Sequence, residues 1–220
     1  MLMKPVIYYC YDAYCGWCYG FSPVVKRLAE DLKDVVSFEV LSGGMIPADN
    51  PRHISVMADY ISKAYQRVEE LAGVKFGEDY LWHIFNPDKS DWYPHSEKAA
   101  IALCIFKEIF PEKQVEFTTD LQLALHFEGR DLTDDEAYRH LIGKYGINDI
   151  EFYKKLHSEE YREKAHYEFA LCRQLQVTAF PVLLLQAEQT KFFLISRGYT
   201  HFDDVKARID RILNEINGDS

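Results

Sequence analysis

Apolar positions along the chain alternate between two spacings, and each change of spacing predicts an element. Val6 to Cys10 is short, continuous, β-branched and aromatic, which predicts a buried strand that breaks at Asp12. From Ser22 onward Val24, Val25, Leu28, Ala29 and Leu32 recur at a period near 3.6, so a helix follows at once. Pro23 falls inside that pattern without ending it and marks a candidate kink. Val35 to Leu41 then reads as a second strand. A strand, helix and strand in so short a stretch predict a βαβ unit, with parallel strands and a right-handed crossover.

From about Asn50 to Gln174 the strand pattern disappears. Ile54, Met57, Ala58, Ile61, Ala64 and Tyr65 keep helical spacing until Gly73, a plausible stop. Phe76 to Phe85 is a short aromatic helix ended by Asn86-Pro87. A helix opened by Ser96 carries apolar residues nearly all round, Ala99, Ala100, Leu103, Cys104, Phe106 and Ile109, as expected at the centre of a helical core. Further helices are predicted over Glu112–Phe127, Thr133–Lys144, Ile150–Leu156 and Ser158–Gln174, with Thr133-Asp134-Asp135-Glu136 reading as a capping box. The block contains no internal repeat and no low-complexity tract.

The strand pattern returns in Val177–Leu185 and Lys191–Ser196, joined by the short polar link Gln186–Thr190 as an antiparallel hairpin. A closing helix over Phe202–Ile216 places Val205, Ile209, Ile212 and Ile216 on one face. With the helical block removed, β-α-β followed by β-β-α remains, which is the thioredoxin order. The expected class is α/β, a thioredoxin fold with a large all-helical insertion after the second strand. Residues 1–48 and 175–220 would form a discontinuous thioredoxin-like domain and residues 49–174 the helical insertion domain. The block leaves the sheet after strand two and rejoins it just before Pro181, so it is placed to cap that edge.

Composition narrows the function. At 220 residues, 48% of them hydrophobic, the chain can bury a core as one large domain or a domain with an insertion. A net charge of −10 argues against nucleic acid and anionic membrane surfaces as partners. No apolar run approaches the roughly 18 residues of a membrane span. Met1 to Pro5 runs into the first strand without a charged leader, apolar stretch or cleavage site, so a cytoplasmic protein is expected. Five cysteines, an odd count, then suggest catalytic rather than structural sulfur.

Two of those cysteines, Cys15 and Cys18, stand at i and i+3 where the pattern turns helical. Unpaired amides and the helix dipole at such a start favour an anion, which pushes a thiol there toward thiolate. Cys15 is the better exposed candidate and Cys18, one turn in, the more buried. A redox pair is one reading; half a zinc site is another, but it needs a second short-spaced pair. Cys10, Cys104 and Cys172 are scattered singly on apolar faces and read as buried, inert thiols; no metal site is expected. The histidines are dispersed, with His95 the nearest to the cleft and still most simply a solvated loop residue. Asp12 reads as a turn or cap residue. The loop Ser42-Gly43-Gly44-Met45-Ile46-Pro47 should reach the same sheet edge as Cys15, either as a plain turn or as a substrate-facing loop through Gly44. Trp17 is either a substrate lip or a packing residue.

Cys15-Gly16-Trp17-Cys18-Tyr19-Gly20-Phe21 behind a strand, the helical insertion, and Val177-Thr178-Ala179-Phe180-Pro181 together resemble the DsbA-like thioredoxin superfamily, in its predicted protein-disulfide isomerase branch. Gly143-Lys144-Tyr145-Gly146-Ile147 with Asp149, Phe152 and Leu156 resembles the second half of that family's insertion. The resemblance implies a thiol–disulfide oxidoreductase in which Cys15 attacks, Cys18 resolves and Pro181 is a cis-proline facing them. Trp17, Phe180, Pro181 and Gly44 are the substrate-binding candidates. Protein or small-molecule thiols and disulfides would be the partners, with no resident cofactor and glutathione as a candidate co-substrate. The same resemblance admits a glutathione-dependent isomerase or a kappa-class-like S-transferase, which work without a resolving cysteine. The Gly-Trp dipeptide lacks the histidine of strongly oxidising members and the proline of thioredoxin. Tyr9 stands where thioredoxin keeps a buried carboxylate.

Overall fold

The computed structural model describes residues 4–218. The leaderless start read from Met1 to Met3, and the outermost residues of the predicted thioredoxin-like unit, lie outside the described residues. Strand β1 (Val6–Tyr11) is followed by helix α1 (Gly16–Leu32), strand β2 (Ser37–Ser42), helices α2 (Ser55–Ala72), α3 (Glu78–Phe85), α4 (Glu97–Ile109), α5 (Gln114–His126), α6 (Glu136–Lys144), α7 (Asp149–Leu156) and α8 (Glu159–Gln174), then strands β3 (Val182–Glu188) and β4 (Lys191–Arg197) and helix α9 (Phe202–Gly218). The sheet order is β2-β1-β3-β4. β1 and β2 run parallel, with Cys10 opposite Leu41, while β3 is antiparallel to both β1 and β4. This is the α/β thioredoxin arrangement expected from the pattern, with helices between β2 and β3.

Side-chain alternation sorts β1 to two sides. Ile7, Tyr9 and Tyr11 join the main core with Leu28 of α1 and Val205 and Ile209 of α9. Cys10 instead joins Leu41, Val182, Leu184 and Cys172 in a smaller cluster against α8. The main core is continuous from the sheet into the helical block: Leu103 and Phe106 of α4 and Phe117 and Leu121 of α5 belong to it, and the rings of Phe106 and Phe117 stack at 4.1 Å. α4 is buried throughout Ala99–Phe106, in keeping with its all-round apolar pattern.

Several boundaries differ from the sequence pattern, and four of them have a clear local reason. β2 begins at Ser37 because the amides of Val35 and Val36 still bond to the carbonyl of Leu32, completing α1. The run Val177–Pro181 is not strand. Pairing starts at Val182, opposite Cys10, and the preceding residues lead past the end of β1 through a cis Phe180-Pro181 bond. The hairpin link is shorter than Gln186–Thr190, since Glu188 still pairs with Lys191. Thr133 does not cap α6: the cap position is Asp135, and the Thr133 hydroxyl donates to Asp131 while Asp134 receives the amide of Glu136.

β2 lies at a sheet edge, and the helical block pairs that edge with side chains. Gln114 accepts the amide of Val40 at 2.7 Å and donates to the carbonyl of Phe38 at 2.9 Å. Glu168 accepts the amide of Ser42 at 2.9 Å, and Lys107 donates to the carbonyl of Val40 at 2.7 Å. Lys107 also pairs with Glu168 at 2.7 Å and with Glu39. Burial pushes this ammonium down, but the two carboxylates together hold it above its ordinary value. Among the described residues no helix is long and apolar enough to cross a membrane.

Candidate active site

The site is built where β1 ends. Asp12 is 1% exposed and binds three parts of the chain at once. Its Oδ1 accepts the amide of Tyr14 at 3.0 Å and the hydroxyl of Ser96 at 2.9 Å, and its Oδ2 accepts the amide of Met45 at 2.7 Å. The loop before α1, the loop after β2 and the start of α4 are thereby fixed together. Burial outweighs those hydrogen bonds and raises the carboxyl above its usual range. The expected turn role of Asp12 is thus real but is only part of what the residue does.

Cys15 is the cap residue of α1, in extended conformation, and its Sγ accepts the amide of Cys18 at 3.3 Å. Its thiol donates to the carbonyl of Phe180 at 3.5 Å. Cys15 is 7% exposed and Cys18 not at all, so the expected ordering holds although both are buried. All five cysteines are free. Burial first, then the hydrogen bond and charge of the Cys15 sulfur, push the Cys18 thiol well upward, against an amide hydrogen bond from Asp12 that lowers it. Tyr9 is buried, and its hydroxyl donates to the carbonyl of Cys18 at 3.4 Å.

Behind the dithiol loop, His126 of α5 is wholly buried and stacks on Tyr19 at 5.0 Å. A carbonyl only accepts, so the 3.2 Å contact to Ala13 fixes the proton on Nε2. Burial holds this imidazole down to about 3, hence neutral. His95, by contrast, lines no part of the cleft.

In front of Cys15 opens a cavity of about 800 Å³, roofed by α2 and floored by the loops after β2 and before β3. Of the residues singled out in the sequence, Cys15, Trp17, Gly44 and Phe180 line it, while Cys18 and Pro181 are buried and contribute no wall. Trp17 is half-buried, packing against the core and also lining the cavity. Close approach explains the glycines: a Cβ on Gly43 would lie 1.9 Å from the Phe180 ring, and Gly44, at φ +65, sits against the Phe169 ring. Sequence reasoning missed the α2 wall, Val56 and Tyr60, and the rim residue Arg173. A signal was present, since the apolar positions of α2 cover more of its circumference than one buried face needs. Among the described residues no group of three or more His, Cys, Asp or Glu could hold a metal ion.

The sheet has the thioredoxin strand order and carries two thiols at the start of its first helix. The model of the DSBA-like thioredoxin domain matches residues 6–209, and the chain belongs to that family. No curated protein matches it in sequence. Among solved structures it is similar to a candidate protein disulfide isomerase from Nitrosomonas europaea, at 22% identity over 97% of this chain and 99% of that one, TM-score 0.84. It is also similar to DsbM from Pseudomonas aeruginosa, a cytosolic disulfide reductase, at 22% identity over 96% and 99%, TM-score 0.73; that protein has also been solved with GSH. A 2-hydroxychromene-2-carboxylate isomerase shares the fold at 14% identity over 98% and 99%, TM-score 0.67.

Proposed function

We propose that the protein exchanges thiols and disulfides through Cys15 and Cys18, with Cys15 attacking from the cavity floor and Cys18 resolving. The observation that carries this reading is the placement of Cys15 Sγ, capped by the Cys18 amide at 3.3 Å and opening on the cavity beside Phe180. Cys15 thiolate attacks one sulfur of a substrate disulfide, forming a mixed disulfide and releasing the other sulfur as thiolate. Cys18 keeps its proton until that bond exists, then gives it up to solvent and attacks Cys15 Sγ, expelling the second thiolate and closing the enzyme disulfide. Run backward, the same two steps oxidise a substrate dithiol. Trp17, Gly44 and Phe180 line the space a substrate would enter, and buried Pro181 follows directly behind Phe180. The cytosolic setting of DsbM supports a reducing compartment for this chain as well.

A glutathione-linked reaction is the second reading, favoured by the GSH complex of DsbM and by the fold shared with the chromene-carboxylate isomerase. Cysteine variants separate the two. Cys18→Ala should accumulate a substrate mixed disulfide that Cys15→Ala does not form, seen by intact mass; full turnover of Cys18→Ser on a glutathione-linked reaction would replace the dithiol mechanism with the second reading.

A further inference from the structure

The charge of the cavity wall runs against the charge of the chain. The sequence holds 35 acidic residues against 25 lysines and arginines, yet none of the acidic ones lines this cavity among the described residues. Its single charged side chain is Arg173, exposed in the last turn of α8, next to the loop that carries Phe180. Arg173 forms no ion pair with any described residue. The facing wall is apolar and aromatic, with Trp17, Tyr60 and Tyr65 among its members. A volume of about 800 Å³ suits a small molecule, enclosed mostly by apolar surface and oriented by few polar groups.

Resting on the dithiol reading above, we infer that the substrate disulfide is a small aromatic or aliphatic one bearing a carboxylate, which the guanidinium of Arg173 receives. The fit is poorer for glutathione, whose peptide chain carries two carboxylates and an ammonium into walls that offer one cation and no acidic side chain. Guanidinium suits a carboxylate because its paired N–H groups match the two oxygens. A cation in a last helical turn also stabilises its own helix, so the test must read binding and not stability.

The test uses pre-reduced protein and two aromatic disulfides in a single turnover. Dithiobis(nitrobenzoate) carries carboxylates, and dithiodipyridine carries none. In each, two electrons pass from the dithiol to the probe: one aryl thiolate leaves as Cys15 attacks, the second as Cys18 closes the enzyme disulfide, and both thiol protons go to solvent. Arg173→Ala should raise the half-saturating concentration for the carboxylate probe by about three- to fivefold, the range of an exposed ion pair. The limiting rate should stay unchanged, and dithiodipyridine should shift less than about twofold. Arg173→Lys should recover only part of the loss, because it keeps the charge without the paired N–H geometry, and added salt should weaken the carboxylate probe on the native protein but not on Arg173→Ala. Equal shifts for both probes, no shift for either, or tighter saturation by glutathione disulfide than by the carboxylate probe would overturn the inference while leaving the dithiol reading intact. Reaction of both probes with Cys15→Ser at the native rate would instead remove the dithiol reading, and the inference with it.

Discussion

The thiol of Cys15 donates to the carbonyl of Phe180 at 3.5 Å, joining the start of α1 to a residue 165 positions later in the chain. The ring of the same residue lies against Gly43, whose missing Cβ leaves room for it. Cys15 therefore presents its sulfur beside a residue that packs on the loop after β2. A methyl on Gly43 should push Phe180 aside and disturb this geometry. Gly43→Ala is expected to slow disulfide exchange about tenfold or more, as small misplacements of reacting groups do, with a stability loss of about 1–3 kcal/mol from overpacking. Single-turnover kinetics and urea denaturation check the two effects separately.

Buried Asp12 receives three donors, the amides of Tyr14 and Met45 in partly buried bonds and the hydroxyl of Ser96 in a buried one. Asp12→Ala leaves all three without an acceptor, and each unsatisfied group costs about 1–3 kcal/mol, not additively. A loss of about 3 kcal/mol is expected in denaturant titration, together with slower exchange, because the loops on both sides of Cys15 lose their common anchor. Unchanged stability would show that the carboxylate does not hold these loops.

His126 gives the fold a pH dependence of definite sign. Its imidazole is neutral when folded, at about 3, against 6.5 ordinarily, so the unfolded chain binds the proton first as pH falls. The contribution is present in full above pH 6.5 and declines as pH drops toward 3; at pH 4.5 the loss amounts to about 2–3 kcal/mol. Denaturation midpoints measured from pH 7.5 to 4.5 should fall in the native protein, and more shallowly in His126→Gln.

Glu168 is 6% exposed and pairs with Lys107 while accepting the amide of Ser42. Glu168→Ala leaves the Ser42 amide without its acceptor and Lys107 with Glu39 as its remaining carboxylate, and is expected to lower stability by about 3 kcal/mol. The double change Glu168→Leu with Lys107→Met should recover much of that loss, which thermal denaturation of the single and double variants would reveal.

What could be read in the sequence was whatever depends on spacing along the chain. The strand Val6–Tyr11, the helix that follows the cysteines and the buried α4 each carry their own periodicity, and a pair at i and i+3 is local by definition. The run from Val177 was misread because a packed loop and a strand share the same apolar character, and only the pairing with Cys10 shows where strand begins. Thr133 and Glu136 had the right spacing for a capping box, but Asp131 and Asp134 compete for the same groups. The network around Asp12 joins residues 33 and 84 positions away, and no local pattern announces such contacts. The cavity wall was half visible, in α2 positions too apolar for a solvent face.

Gln114, Lys107 and Glu168 do for β2 what a fifth strand would otherwise do. A shortened protein that kept the sheet and the dithiol but dropped residues 49–174 would therefore not be a smaller enzyme. Its bared backbone edge would recruit other copies, and such a version should leave solution as aggregate.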